Sequence, residues 1–190
     1  MSVNEITETR QYLTFKLGNE IFATDVARVR EVLDLTTITK IPRTPEFMAG
    51  VINLRGSVVP VVDFRLCFGM SKTETTRNTC IVVVEVVLDS ESTVIGALAD
   101  SVEEVIDLEP DQIQPAPKIG TQLRTEFIKG MGKRDAQFIM ILDLDCVFST
   151  EELAAARGRI ETERPGTEDL VAESDSETSL VLDREPVPVQ

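Results

Sequence analysis

From Leu13 the chain alternates in a simple way: Leu13, Phe15 and Leu17 are apolar, while Thr14 and Lys16 are polar. A two-residue period marks a strand with one covered face. Gly18-Asn19 supplies a turn and Ile21–Ala23 returns, which predicts a hairpin. A second apolar pair, Val51–Leu54 and Val58–Val62, flanks Arg55-Gly56-Ser57 and predicts another hairpin, with glycine relaxing the bend. Cys80–Leu88, a turn at Asp89–Ser92 and Val94–Ala99 form a third.

The pattern also repeats itself. Val29-Arg-Glu-Val-Leu-Asp-Leu35 recurs as Val102-Glu-Glu-Val-Ile-Asp-Leu108, and Pro45-Glu-Phe-Met-Ala-Gly50 as Thr125-Glu-Phe-Ile-Lys-Gly130. Pro60-Val-Val-Asp-Phe64 recurs as Met140-Ile-Leu-Asp-Leu144, so the displacements are 73, 80 and 80 residues. The order is kept, with one insertion near Pro115-Ala-Pro117. This reads as two copies of one β-rich unit of about five short strands. Five short strands with little helix leave edges exposed unless the sheet closes. The expected fold is therefore mostly β, with two small five-stranded barrels, the first over about 11–70 and the second over about 78–148. Ser149-Thr-Glu-Glu152 is a capping box, which predicts a closing helix over 149–158, ended by Gly158. Residues 1–10 read as a flexible N-terminus. Residues 159–190 are rich in Glu, Asp, Ser, Thr and Pro without periodicity, and read as a disordered acidic tail carrying one apolar island, Leu180-Val-Leu182.

Composition narrows the chemistry. Aromatic residues make up 5% of the chain and tryptophan is absent, so the core must be Val, Ile and Leu, which favours strands. The net charge is −14, and residues 151–190 hold eleven acidic against four basic side chains. Such a field opposes nucleic acid and anionic lipid. No apolar run reaches the ~20 residues a membrane span needs, and no signal peptide precedes the first strand. These points predict a cytoplasmic protein. Histidine is absent, which removes Ser-His-Asp and Cys-His catalysis and every imidazole metal site. Cys67, Cys80 and Cys146 are widely spaced and read as reduced core thiols. The acidic run Asp100, Glu103, Glu104, Asp107, Glu109 and Asp111 lacks the spacing of a calcium loop and reads as a solvated edge. Asp143 and Asp145 read as helix-starting or turn-bonding residues. A carboxylate-dependent hydrolase is the competing enzymatic reading; it would need two buried carboxylates in one cleft. No cofactor and no metal is called for.

What remains is a surface. Arg55 sits at a tight bend of an apolar ribbon, where a guanidinium presents a planar fork of donors suited to a carboxylate. The stretch Thr44-Pro-Glu-Phe-Met-Ala-Gly-Val-Ile-Asn-Leu-Arg-Gly56 and its continuation to Asp63 resembles the signature of the CheW family of chemotaxis adaptors, without a gap. The resemblance covers roughly Tyr12–Ala156 and includes the motif residues Asn53, Leu54, Gly56, Pro60 and Asp63. It implies two SH3-like barrels side by side with a groove between them. It also implies that Glu31 is the carboxylate partner of Arg55, and that these two with Val29, Val32, Val58, Val102 and Val105 meet the cytoplasmic tip of a methyl-accepting chemoreceptor. The second partner implied is the regulatory domain of a CheA-type histidine kinase, with Gln114, Ile119, Phe127 and Gly130 as the expected contacts. On this reading the protein is monomeric alone, part of large receptor arrays at the inner membrane, and not an enzyme. CheW-like adaptors of other receptor–kinase pathways, such as twitching motility, share the signature.

Overall fold

A computed structural model describes residues 7–88, 90–116, 125–134 and 136–149. The predicted closing helix beyond Ser149, the acidic tail and most of the predicted N-terminal arm lie outside the described residues. The elements, in chain order, begin with the hairpin β1 (Arg10–Leu17) and β2 (Glu20–Asp25), followed by a 3-10 turn and β3 (Val29–Asp34). A second hairpin, β4 (Met48–Leu54) and β5 (Ser57–Asp63), leads into a one-turn helix α1 (Phe64–Cys67). The second copy follows with β6 (Cys80–Leu88), β7 (Glu91–Ala99), β8 (Ser101–Leu108), a two-residue β9 (Ile113–Gln114), β10 (Ile128–Arg134), β11 (Gln137–Leu142) and α2 (Leu144–Phe148).

The strands form two sheets, and the fold is mostly β, as the pattern predicts. One sheet has the order β3-β6-β7-β5-β4 and the other β8-β1-β2-β11-β10-β9. Neither is built from consecutive sequence, and this corrects the expected division into 11–70 and 78–148. The hairpin β1–β2 of the first copy lies in the second copy's sheet, and β6–β7 lies in the first copy's sheet. The reason is local. Asp100 alone separates β7 from β8, and one residue cannot close the two-residue loop of the tightest hairpins. The chain must therefore leave one sheet for the other there. The expectation of five strands each is also adjusted, because β9 adds a sixth to one sheet.

Each sheet closes on itself where the segment after its edge strand returns to the far edge. Thr39 exchanges backbone hydrogen bonds with Val51 of β4 at 2.9 and 2.8 Å. In the second copy β9 pairs with β10 at the same place. Gly50 makes the first seam accessible: its φ is +141°, and a Cβ there would lie 2.2 Å from the Thr39 carbonyl oxygen.

The exchange gives most strands two covered faces. In β6, Ile81 and Val83 point into the first sheet's interior. Cys80, Val82, Val84, Val86 and Leu88 point into a central core shared by both sheets. That double burial explains the unbroken run Ile81-Val-Val-Val84 where a half-exposed strand would alternate. Phe15, Phe22, Phe64, Phe68, Phe127 and Phe148 from both copies meet in this core, with neighbouring ring centroids 5.5–6.1 Å apart. The interior of the second sheet holds Tyr12, Ala23, Ile106, Leu108, Ile113, Ile139 and Ile141.

Candidate functional site

The β4–β5 turn is fixed by Asn53, Arg55 and Gly56. Leu54 pairs with Ser57, leaving a two-residue loop at Arg55-Gly56. Both loop residues have positive φ, +52° and +88°, which is the mirror-image turn that matches strand twist. The Asn53 side chain accepts a hydrogen bond from the Gly56 amide at 2.8 Å. Glycine takes this backbone freely and arginine does not, so Asn53 and the pairing of the strands hold Arg55 in a conformation it disfavours. The result is a displayed side chain: Arg55 is 80% exposed.

Its Nη2 lies 2.9 Å from Oε2 of Glu31 on β3, whose side chain is 23% exposed. Because β3 and β4 are the two edges of one sheet, the ion pair spans the seam where that sheet closes. Outward from β3, Val32 is 42% exposed, and beyond the turn Val58 is 47% exposed. Val29 and Val102 are half-buried against the central core, and Val105 is 49% exposed.

A cleft of 730 Å³ lies between the two sheets. Val32 and Asp34 of β3 form one wall; Ser101, Val102 and Glu103 of β8 form the other, with Lys16 and Asp100 at its base. This is the groove that two barrels side by side imply. It brings Val32 and Val102 together. Val29, Val58, Val105 and the Arg55–Glu31 pair lie outside its lining.

Two sequence readings of the second copy are corrected. The second copy reads Gly130-Met-Gly-Lys-Arg134 with no Asn-Leu-Arg-Gly, which points to no counterpart of Arg55, yet Arg134 Nη1 lies 2.6 Å from Oε1 of Glu104, the repeat partner of Glu31. No turn motif marks it, because Arg134 is the last strand residue, paired with Gln137, rather than a residue of the turn. The 80-residue displacement carries Arg55 to position 135, one residue past Arg134, and places Phe138 (57% exposed) at the position of Val58. The expected kinase contacts are changed as well. Phe127 is 5% exposed and packs on Phe68, and Gly130 is buried at a register shift between β10 and β11. Both serve the frame rather than the surface. Gln114 is exposed on β9, and Ile119 lies outside the described residues.

The acidic run of the second copy is dispersed into separate tasks. Asp100 takes two bonds from Arg65, at 3.1 and 2.7 Å, and one from the Gly18 amide at 2.6 Å. This pair, 16% and 22% exposed, clasps the point where the chain crosses between sheets. Glu103 pairs with Lys16, and Asp107 accepts from Gln11. The Ser101 hydroxyl, and then Lys16, hold the Glu103 carboxyl below its ordinary pKa. Asp143 caps α2 through the Cys146 amide, and Asp145 accepts from Arg28 and from the Val87 amide. Asp63, only 2% exposed, caps α1 and takes both the amide and hydroxyl of Thr73. Burial pushes the Cys80 and Cys146 thiols up. Among the described residues no group of three His, Cys, Asp or Glu is arranged to hold a metal ion, and no helix is long and apolar enough to cross a membrane.

Residues 11–152 match the CheW-like domain model. The chain belongs to the CheW family. Among its relatives, the chemotaxis protein CheW of Klebsiella aerogenes is 34% identical over 148 residues, covering 78% of this chain and 87% of that one. The chemotaxis protein CheW of Rhizobium meliloti is 35% identical over 147 residues, covering 77% and 92%. A crystal structure of the scaffolding protein TtCheW from Thermoanaerobacter tengcongensis superposes with a TM-score of 0.68 at 35% identity, covering 75% of this chain and 90% of that one. The family match holds both copies and both ion pairs, and residues 159–190 fall outside it.

Proposed function

We propose that this CheW-family chain is a non-catalytic chemotaxis scaffold that couples the cytoplasmic tips of chemoreceptors to the regulatory domain of a CheA-type histidine kinase. Binding two partners at once raises their effective concentration and holds the kinase where receptor conformation biases it. The chain then works in the cytoplasm at receptor arrays, monomeric when alone.

The observation that carries this reading is Arg55. It is held in a disfavoured backbone conformation, four-fifths exposed, and anchored by one sheltered carboxylate. Beside it, Val32 and Val58 leave apolar surface in water. Exposed apolar patches next to a fixed charged fork suit a helical partner that brings both an apolar face and an acidic or polar residue. The receptor is accordingly assigned to the inter-sheet cleft and its flanks: Arg55, Glu31, Val32, Val58, Val102 and Val105, with Val29 supporting from below. The kinase is assigned to the second copy on the side of Gln114.

Co-sedimentation with receptor-bearing membranes and purified kinase tests the assignment. Arg55→Glu and Glu31→Arg should each reduce capture at least tenfold while the circular dichroism spectrum is unchanged, and the double exchange should restore part of it. Capture of both single variants at the unaltered level would refute the assignment. An adaptor is also needed in molar proportion to its partners, whereas an enzyme is not.

A further inference from the structure

We propose that the chain's own segment Leu170–Glu185 docks onto a second cleft, on the first copy's frame, which adjoins the groove described above where Leu35 follows Asp34 and Thr75 precedes Thr76. This cleft has a volume of 480 Å³, within the roughly 300–1,000 Å³ range of ligand-sized sites. Its floor is apolar, with Leu35, Ile38, Met48 and Leu98, and its rim carries Lys40 and Lys72.

Charge singles out the occupant. Arg10, Lys16, Arg28, Arg30, Arg55, Arg65 and Arg134 each sit within ion-pair distance of a carboxylate. Lys40 and Lys72 pair with none among the described residues, in a chain of net charge −14. The Asp63 carboxylate at the cleft is already engaged by Thr73 and the start of α1, which leaves Glu46 as the other acid of the lining. Two uncommitted ammonium groups over an apolar floor suit a segment that alternates acidic and aliphatic residues. The chain carries one: Leu170-Val171, then Glu173, Asp175 and Glu177, then Leu180-Val181-Leu182 and Asp183. Leu180 follows Ser149 by thirty-one residues, a contour of about 100 Å when extended, against a radius of gyration near 15 Å for a domain of this size. Reach is no obstacle. The inference is independent of the receptor and kinase assignments.

Lysine acylation of the full-length chain, read by mass spectrometry at low salt, tests it. Lys40 and Lys72 should label at least fivefold more slowly in the unaltered chain than in a Leu180→Ser/Leu182→Ser variant, with Lys133 unchanged as control. The protection should vanish in ~1 M salt, where charges more than about 3 Å apart are screened, and should not change on dilution. The same double substitution should shift the amide resonances of Ile38 and Ala49. Equal labelling of the two chains, protection that falls on dilution and so reports a second copy, or unmoved Ile38 and Ala49 resonances would each overturn the proposal.

Discussion

The two copies share a frame and differ in what they display. Both close through a returning segment, both carry a register shift at the start of β4 or β10, and both place a capping aspartate at the far end of the strand that pairs with it, Asp63 as the last residue of β5 and Asp143 just past β11. Both also staple the closing seam with a Glu–Arg pair. The pairs are nevertheless built differently. In the first, the acid is sheltered at 23% exposure and the base stands out at 80%, because Arg55 occupies the turn itself. In the second, Glu104 and Arg134 are 59% and 46% exposed, because the arginine stops one position short of the turn. Moving one residue from turn to strand end converts a displayed cation into an ordinary surface pair. Duplication fixed the frame, while the surface diverged freely, as expected when two faces meet different partners.

The frame is where substitution should cost most, and the seam of the first copy is its tightest point. Gly50→Ala puts a methyl group 2.2 Å from a backbone carbonyl at φ +141°, with no flexible side chain to yield. Overlap and backbone strain together should destabilise the fold by about 3 kcal/mol or more, a fall of roughly 6–12 °C in Tm. Thermal unfolding followed by circular dichroism checks this. Gly132→Ala in the second copy meets only the tip of Leu108, at 2.9 Å, which can shift, so its loss should be clearly smaller. Equal losses would mean that the two seams are equally tight.

The capping aspartates offer a second contrast. Asp63 is buried and accepts from two helix amides and from the amide and hydroxyl of Thr73. Asp143 accepts from the Cys146 amide and is not buried to the same degree. Asp63→Ala should therefore cost about 2–3 kcal/mol, against about 1 kcal/mol for Asp143→Ala. Urea denaturation of both variants would measure the difference. Loss of Asp63 also frees the segment around Thr73, so proteolysis near Lys72 should quicken in that variant alone.

Much of this was legible in the sequence, and the failures have physical causes. Alternation revealed the strands, and the fixed displacement revealed the repeat, because both depend on local chemistry. Asn53, Arg55 and Gly56 announced their turn for the same reason. Which sheet a hairpin joins is not a local property. An apolar strand face looks the same whichever core covers it, so the exchange of β1–β2 and β6–β7 could be read only from the one-residue link at Asp100. Phe127 and Gly130 read as surface in the sequence, yet Phe127 packs into the shared core and Gly130 is buried where β10 and β11 shift register. Arg134 carries no local mark, because the pair requires only an arginine long enough to reach across the seam, not one inside a turn.

The smallest effects belong to the two ion pairs. Exposed pairs contribute about 0–1 kcal/mol, so Arg55→Ala and Arg134→Ala should each move stability by less than about 0.5 kcal/mol. Arg55→Ala also loses a disfavoured arginine backbone but puts alanine into the same positive φ, so no gain is expected there. The distinction lies in binding. If display is what matters, Arg55→Ala weakens capture by receptor-bearing membranes while Arg134→Ala leaves it within twofold of the unaltered chain, at matched salt. Reversing that order would move the receptor to the second copy. Equal losses would mean that the seam staples act through the rigidity of the frame, and that the exposure of Arg55 carries no special role.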